Sequence, residues 1–264
     1  MLLFAASALS CTLALMSHPR VHLEIAGDGP SVLFLHGMPT SWDVFRPVAR
    51  ALGGRRTLLA ALPGYGPTPA WPEATSAVAI AEAIEEAVRA AGVDRAAVVG
   101  FSAGAYHALH LAVRGRFAID RVITLAGFAD LSAEERGGMR GFAAALRAGA
   151  NLDGVATARF LSPPFAKTHP DACARVEAWL RATSRENLAR ELDACAESPP
   201  LLDMCAARVL ARAGSLDLVV PPAHAEAIAK TARHGVAQVV EGSGHALLEE
   251  NLDATTAAIV RALA

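Results

Sequence analysis

The sequence predicts an α/β protein built on a mostly parallel, doubly wound sheet. Short apolar runs of strand length alternate with longer helical segments along most of the 264 residues, and glycine or proline turns separate them. Such alternation is typical of a parallel sheet that helices cover on both faces. The chemically interesting turns follow the carboxyl ends of the predicted strands, which is the edge where open sheets of this kind bind ligands.

Seven strands are predicted, near residues 20–25, 32–35, 57–61, 96–99, 121–125, 208–211 and 237–240. The runs at 32–35 and 96–99 are apolar throughout, as expected for strands that are buried on both faces. Helices are predicted over 42–52, from Thr75 or Ser76 to about 91, over 105–115, 223–233 and 246–263. Ser41 is a candidate cap for the first of these helices.

The strand–helix alternation stops between about residues 130 and 202. This stretch predicts helices over 132–148, 152–160, 171–182 and 184–196, which are separated by prolines. We interpret it as a helical insertion and not as a second folding unit. The predicted organisation is therefore a core of residues 16–130 and 203–264 that carries an insertion of residues 131–202.

Composition narrows the range of partners. Hydrophobic residues make up 53% of the chain and the formal net charge is −2, without a basic patch. These values favour a large core and argue against nucleic acid or an anionic membrane as the main partner. The four cysteines lack the close paired spacing of a zinc site. Free thiols in a reducing compartment are favoured, and a Cys195–Cys205 disulfide stays open as an alternative.

The first 15 residues are almost wholly apolar. They lack the basic residues that precede the apolar run of a secretory signal, and they are too short to span a bilayer comfortably. We expect a dispensable tail, or an upstream start with the true chain opening at Met16. A cytoplasmic location follows from this expectation, and a signal peptide at residues 1–15 is the alternative.

The most informative stretch is Gly100-Phe101-Ser102-Ala103-Gly104, a G-x-S-x-G motif between a predicted strand and a predicted helix. A serine on so sharp a turn adopts a strained backbone, which requires very small residues two positions before and after it. The turn lifts the Ser102 hydroxyl clear of the sheet. The amide of Ala103 opens the next helix and can stabilise a developing negative charge. Ser102 is the candidate nucleophile.

A serine nucleophile needs a base, and that base needs an acid to orient it. His245 follows the last predicted strand among small residues, so it is the candidate base. Asp217 follows the sixth predicted strand and is the candidate acid, with Asp130 as the runner-up. The chain order Ser102, Asp217, His245 is the order known for one class of serine hydrolases.

A tetrahedral oxyanion needs two backbone donors. Ala103 is one, and Met38 is expected to supply the second from the end of a neighbouring strand. Gly37 allows the turn there, and we expect His36 to brace the loop by hydrogen bonding. No metal and no organic cofactor are implied.

Taken together, these motifs resemble the α/β-hydrolase superfamily over residues 21–264. The matching segments are residues 36–42, 62–66, 100–104, 214–217 with Pro221, and 244–245. The resemblance implies the α/β-hydrolase fold with a helical cap inserted between strands six and seven. Some cap-bearing relatives use an aspartate nucleophile, but Ser102 at that position implies a serine hydrolase. Ala61 is a departure, because an aspartate commonly stands there.

The resemblance implies hydrolysis of carboxylic esters of small to medium apolar substrates through an acyl-enzyme. Enol-lactone, amide or carbon–carbon bond hydrolysis, perhydrolysis, and a ligand-binding receptor that retains the fold are the alternatives. Substrate contacts are expected from Gly37, Phe101, Phe128 and Phe142. Further apolar residues of the cap could also line the pocket: Leu131, Met139, Phe160, Leu161, Phe165, Trp179 and Leu180. The oligomeric state stays open.

Overall fold

The computed structural model describes residues 20–71, 76–201 and 206–264. In this part of the chain, seven strands form one sheet in the order β1-β3-β2-β4-β5-β6-β7. β1 is antiparallel to β3, and every other neighbouring pair is parallel. The strands are β1 His22–Ala26, β2 Ser31–Leu35, β3 Arg56–Ala61, β4 Arg95–Phe101, β5 Ala118–Leu125, β6 Arg208–Gly214 and β7 His234–Val240.

Helices cover both faces of this sheet, which confirms the predicted fold class. Those that follow the strand–helix alternation are α1 Arg46–Ala51, α2 Ala77–Ala90, α3 Ala103–Arg114, α9 Ala223–Thr231, α10 Leu247–Glu250 and α11 Leu252–Leu263. Successive residues of β2 point into opposite apolar cores, because side chains alternate along a strand. Leu33 packs with α2 and α3, whereas Phe34 packs with α1 and α11.

Five more helices lie between β5 and β6, and we call them the inserted helices. They are α4 Ala133–Arg147, α5 Val155–Phe160, α6 Pro163–Thr168, α7 Pro170–Ala182 and α8 Arg185–Ala196. They bury an apolar cluster of their own, which includes Leu146, Val176 and Leu188. The resemblance implies a cap between strands six and seven of the family's sheet. Counted from β1 of the described chain, five strands precede the inserted helices and two follow them, and the position in the family's numbering stays a prediction.

Several local predictions differ from the structure for identifiable reasons. The single helix expected over 42–52 is a short 3₁₀ helix, Trp42–Phe45, followed by α1, because Pro47 lies in the first turn of α1. α6 begins at Pro163, since proline is well accommodated at the first helical position. The closing helix is divided at Asn251.

Other predictions concern caps, thiols and the N-terminal segment. The Ser76 side chain caps α2 by accepting a hydrogen bond from the amide of Ala79 at 3.1 Å. Cys173 and Cys195 are free thiols. The apolar tail 1–15, Cys11, Thr75 and Cys205 lie outside the described residues. Within residues 20–71, 76–201 and 206–264, no helix combines the length and apolar character needed to cross a bilayer.

Candidate active site

Ser102 lies on a strained turn between β4 and α3. Its φ of 53° is in the left-handed region that residues other than glycine rarely adopt. A Cβ on Gly100 would lie 2.3 Å from the carbonyl oxygen of Gly104, and a Cβ on Gly104 would lie 2.1 Å from that of Leu35. The turn is therefore sterically possible only with glycine on both sides of Ser102, as the motif predicted.

His245 connects Ser102 to Asp217 by hydrogen bonds. The His245 Nε2 lies 3.0 Å from the Ser102 Oγ, and its Nδ1 lies 2.8 Å from the Asp217 Oδ2. A carboxylate only accepts hydrogen bonds, so the Nδ1 carries the proton and the Nε2 is free to accept the Ser102 hydroxyl proton. All three residues are buried. This arrangement can activate a serine hydroxyl.

The ends of β6 and β7 bring the acid and the base together. These parallel strands pair up to Gly214 and Val240, and the amide of Leu216 then donates to the carbonyl of Ser243 at 2.9 Å. A Cβ on Gly214 would lie 2.2 Å from the carbonyl oxygen of Gly244, so glycine is required for this close approach. The two loops therefore run side by side, with Asp217 facing His245.

Backbone amides hold the carboxylate of Asp217 in place. Its Oδ1 accepts hydrogen bonds from the amides of Val219 and Val220 at 2.8 and 2.9 Å, while its Oδ2 faces the imidazole. Asp130, the runner-up acid, is exposed and forms an ion pair with Arg136 at 2.8 Å. The local contacts therefore favour Asp217 over Asp130 as the partner of His245.

Two backbone amides close to Ser102 are available to a ligand. In the described part of the chain, neither the amide of Met38 nor that of Ala103 donates to a protein acceptor. Ala103 is the first residue of α3, where helix geometry leaves the amide unpaired. A Cβ on Gly37 would lie 2.6 Å from the Cβ of Ser102, so the loop that carries Met38 runs directly past the serine.

His36 braces this loop. Its Nε2 accepts the amide N–H of Leu62 at 3.0 Å, and its Nδ1 lies 3.1 Å from the carbonyl oxygen of Gly37. Complete burial lowers the pKa of His36 to about 4, so the imidazole is neutral at physiological pH. A neutral histidine with both nitrogens hydrogen-bonded is a structural element of the loop, as the sequence indicated.

Aromatic side chains enclose the His245 imidazole. The ring centroids of Phe101 and Phe160 lie 5.2 and 5.6 Å from that of His245. Phe101 was expected to contact substrate, whereas Phe160 was only one of several apolar residues in the insertion. Sequence reasoning could not single out Phe160, because its position depends on how α5 packs on the core.

The other predicted substrate contacts have different surroundings. Phe128 is fully buried and stacks on Tyr106, with ring centroids 5.3 Å apart. Phe142 is half-buried against the apolar cluster of the inserted helices. A role in substrate binding stays a prediction for both. Among the described residues, no group of three or more histidine, cysteine, aspartate or glutamate side chains could hold a metal ion.

Comparison with known proteins agrees with this architecture. Over 92% of its length, the chain is 28% identical to a pimeloyl-[acyl-carrier protein] methyl ester esterase from Xanthomonas campestris pv. campestris, 99% of which is covered. A thermophilic esterase from Thermogutta terrifontis superposes with a TM-score of 0.83 at 23% identity, over 92% of each chain. An enol-lactonase from Burkholderia xenovorans LB400 superposes with a TM-score of 0.82 at 22% identity, over 92% of this chain and 96% of its own.

At these identities the solved structures establish the fold alone. The model of one protein family, described as the alpha/beta hydrolase family, matches residues 32–258 and so covers most of the chain. With its mostly parallel sheet and its strand–serine–helix turn, this chain belongs to the alpha/beta hydrolase family.

Proposed function

We propose that the protein hydrolyses carboxylic esters of small to medium apolar substrates through an acyl-enzyme. The observation that carries the proposal is the continuous pair of hydrogen bonds from Ser102 through His245 to Asp217. The relative that is named as a methyl ester esterase supports an ester substrate. The inserted helices act as a cap over the site, with residues 131–202 forming the cap and residues 16–130 and 203–264 forming the core.

In the first half-reaction, the Ser102 Oγ attacks the ester carbonyl carbon while the His245 Nε2 takes the hydroxyl proton. The resulting oxyanion accepts hydrogen bonds from the amides of Met38 and Ala103. When the tetrahedral intermediate collapses, the bond to the alkoxy group breaks, and His245 returns its proton to the leaving alcohol. Asp217 holds the imidazole in the tautomer that these steps require.

In the second half-reaction, water attacks the acyl-enzyme carbonyl, and His245 again removes the proton. The bond between the acyl group and the Ser102 Oγ breaks, the proton passes to that oxygen, and the carboxylic acid leaves. The reaction needs no cofactor. Phe101, Phe128, Phe142 and Gly37 are the proposed substrate contacts.

The test is intact-protein mass spectrometry after reaction with a fluorophosphonate probe. One adduct per chain is expected, with no adduct in Ser102→Ala and almost none in His245→Ala. We expect Ser102→Ala to lower turnover of p-nitrophenyl butyrate by at least about 10⁴-fold, because the acyl-enzyme cannot form. An unlabelled wild-type protein would reject the proposal and favour a ligand-binding receptor. Labelling without ester turnover would direct the search to lactones and amides.

A further inference from the structure

The loop that carries His245 is attached to the inserted helices by the carboxylate of Glu250, the last residue of α10. Its Oε1 accepts the amide N–H of Ser162 at 2.6 Å. Its Oε2 accepts the Ser162 hydroxyl at 2.7 Å and the amide N–H of Gly244 at 3.0 Å. One carboxylate thus joins the residue before His245 to the corner between α5 and α6.

A second bond attaches the other side of His245 to the same corner. The amide of Ala246 donates to the carbonyl of Phe160 at 2.9 Å. Of the two neighbours of His245 in the chain, Ala246 is therefore bound to Phe160 directly, and Gly244 is joined to Ser162 through Glu250. A Cβ on Gly244 would lie 2.6 Å from the amide nitrogen of Ser162, so glycine is required for the two segments to approach this closely.

This attachment also determines where Phe160 lies. Phe160 is the last residue of α5, and its ring lies 5.6 Å from the His245 imidazole between centroids, with the two planes tilted by 34°. Hydrogen bonds to a charged acceptor are shorter and stronger than those between neutral groups. Glu250 therefore holds both the backbone that carries His245 and the apolar ring beside it.

We propose that Glu250 is a positioning residue of the hydrolase, and that Phe160, held through Glu250, forms the fixed wall of the substrate pocket beside His245. This inference rests on the proposed function. Glu250 acts on the chemistry only through His245, which must keep hydrogen bonds to Ser102 and Asp217 at the same time. A displacement of the imidazole by about 1 Å is sufficient to lower the rate strongly.

The experiment compares Glu250→Gln with Glu249→Gln. Glutamine keeps the size of the side chain, but its amide nitrogen cannot accept the Ser162 hydroxyl or the Gly244 amide proton. Glu249 is the matched control, because its carboxylate also binds the inserted helices, through an ion pair with Arg175 at 2.9 Å. Loss of this ion pair in Glu249→Gln leaves the hydrogen bonds of residues 160–162 and Gly244 intact.

Three quantities are measured: the second-order rate constant of fluorophosphonate labelling, and kcat and KM for p-nitrophenyl acetate. We expect Glu250→Gln to lower the labelling rate and kcat by about 10- to 100-fold with KM changed less than about threefold, since the acetyl group is too small to need the Phe160 wall. Glu249→Gln should stay within about twofold of wild type. Equal losses in both variants, or an unchanged Glu250→Gln, would overturn the inference.

Phe160→Ala tests the wall separately. We expect it to change the ratio of p-nitrophenyl hexanoate to acetate turnover by about 10-fold or more, because only the longer acyl chain reaches the ring. An unchanged ratio would reject Phe160 as a specificity residue. If Glu250→Gln does not fold, Ser162→Ala removes one of the three hydrogen bonds, and an unchanged labelling rate in that variant would overturn the positioning role.

Amide hydrogen exchange separates this inference from the proposed function. Ser162 and Gly244 donate their amide protons to Glu250, so Glu250→Gln should accelerate exchange in peptides that contain them by about 10-fold or more, whether or not the protein is catalytic. An inert wild-type protein would reject the proposed function together with the positioning role. A reactive wild type with unchanged exchange in Glu250→Gln would reject the attachment alone.

Discussion

Two of the junctions between the inserted helices and the core differ in their polar chemistry. The His245 junction consists of Phe160, Ser162, Gly244, Ala246 and Glu250, and there one carboxylate receives three hydrogen bonds. The second junction, which we call the Tyr65 junction, joins the loop after β3 to α8.

At the Tyr65 junction the Tyr65 hydroxyl donates to the Glu191 Oε2 at 2.5 Å, and the Asn187 amide donates to the carbonyl of Pro63 at 3.3 Å. Burial raises the pKa of Glu191 to about 7, and the bond from Tyr65 only partly opposes this shift. Burial also raises the pKa of the neighbouring Tyr65 hydroxyl and Cys195 thiol. In the described part of the chain, no basic side chain forms an ion pair with Glu191.

The difference between the junctions lies in how many donors each carboxyl group receives. Three donors give Glu250 a fixed geometry next to His245, whereas a single donor leaves Glu191 able to gain or lose its proton near neutral pH. The His245 junction is therefore expected to control catalysis. The Tyr65 junction is expected to make stability depend on pH.

Gly244→Ala breaks the His245 junction and has the largest expected effect. The new Cβ would overlap the amide nitrogen of Ser162 and the Glu250 Oε1, at 2.6 and 2.7 Å. Because the loop that carries His245 must move, we expect kcat/KM for p-nitrophenyl acetate to fall by about 100-fold or more. Activity within about threefold of wild type would contradict the importance of this junction for catalysis.

Gly64→Ala breaks the Tyr65 junction. The new Cβ would lie 2.0 Å from the Asn187 Oδ1, and Gly64 has a φ of +85°. We expect the free energy of unfolding to fall by about 2 kcal/mol, from steric overlap and backbone strain together. Adding Asn187→Ala removes the overlap and should restore part of the loss in a denaturant titration. Activity of the folded Gly64→Ala protein should fall much less than that of Gly244→Ala.

Glu191→Gln tests the pH dependence of the Tyr65 junction. The pKa of Glu191 is raised in the folded state, so its contribution to stability is fully present below about pH 4.5 and is lost as the pH rises through about 7. The unfolding free energy of Glu191→Gln minus that of wild type should therefore be higher at pH 8 than at pH 5, by on the order of 1–3 kcal/mol. A difference independent of pH, measured by denaturation at both values, would contradict this assignment.

Tyr65→Phe has the smallest expected effect on stability, and it tests the same pH dependence at the Tyr65 junction. It removes the one hydrogen bond to Glu191, which lowers stability at pH 8 by about 1–2 kcal/mol. Loss of this donor should also raise the pKa of Glu191 further, so the pH-dependent fall in stability should end at a higher pH. An unshifted profile would indicate that the Tyr65 hydroxyl does not stabilise the Glu191 carboxylate.

Much of the core and the main residues of the candidate site could be predicted from the sequence, because they depend on local turns and on where the strands end. Gly100 and Gly104 are required by the turn at Ser102, and continuous apolar runs mark the buried strands. Because parallel strands end at one edge, residues that follow different strands, such as Asp217 and His245, are expected to meet there. Constraints of this kind can be recognised from residue types and their spacing in the sequence.

Tertiary structure alone decided how the inserted helices meet this core. Glu250 and Ser162 are 88 residues apart, and Tyr65 and Glu191 are 126 residues apart. Helical periodicity identifies the apolar face of each inserted helix, but it does not determine which core loop that helix approaches. The pairing of a buried carboxyl group and the position of Phe160 beside His245 depend on how separate elements pack, so they become visible only when the chain is folded.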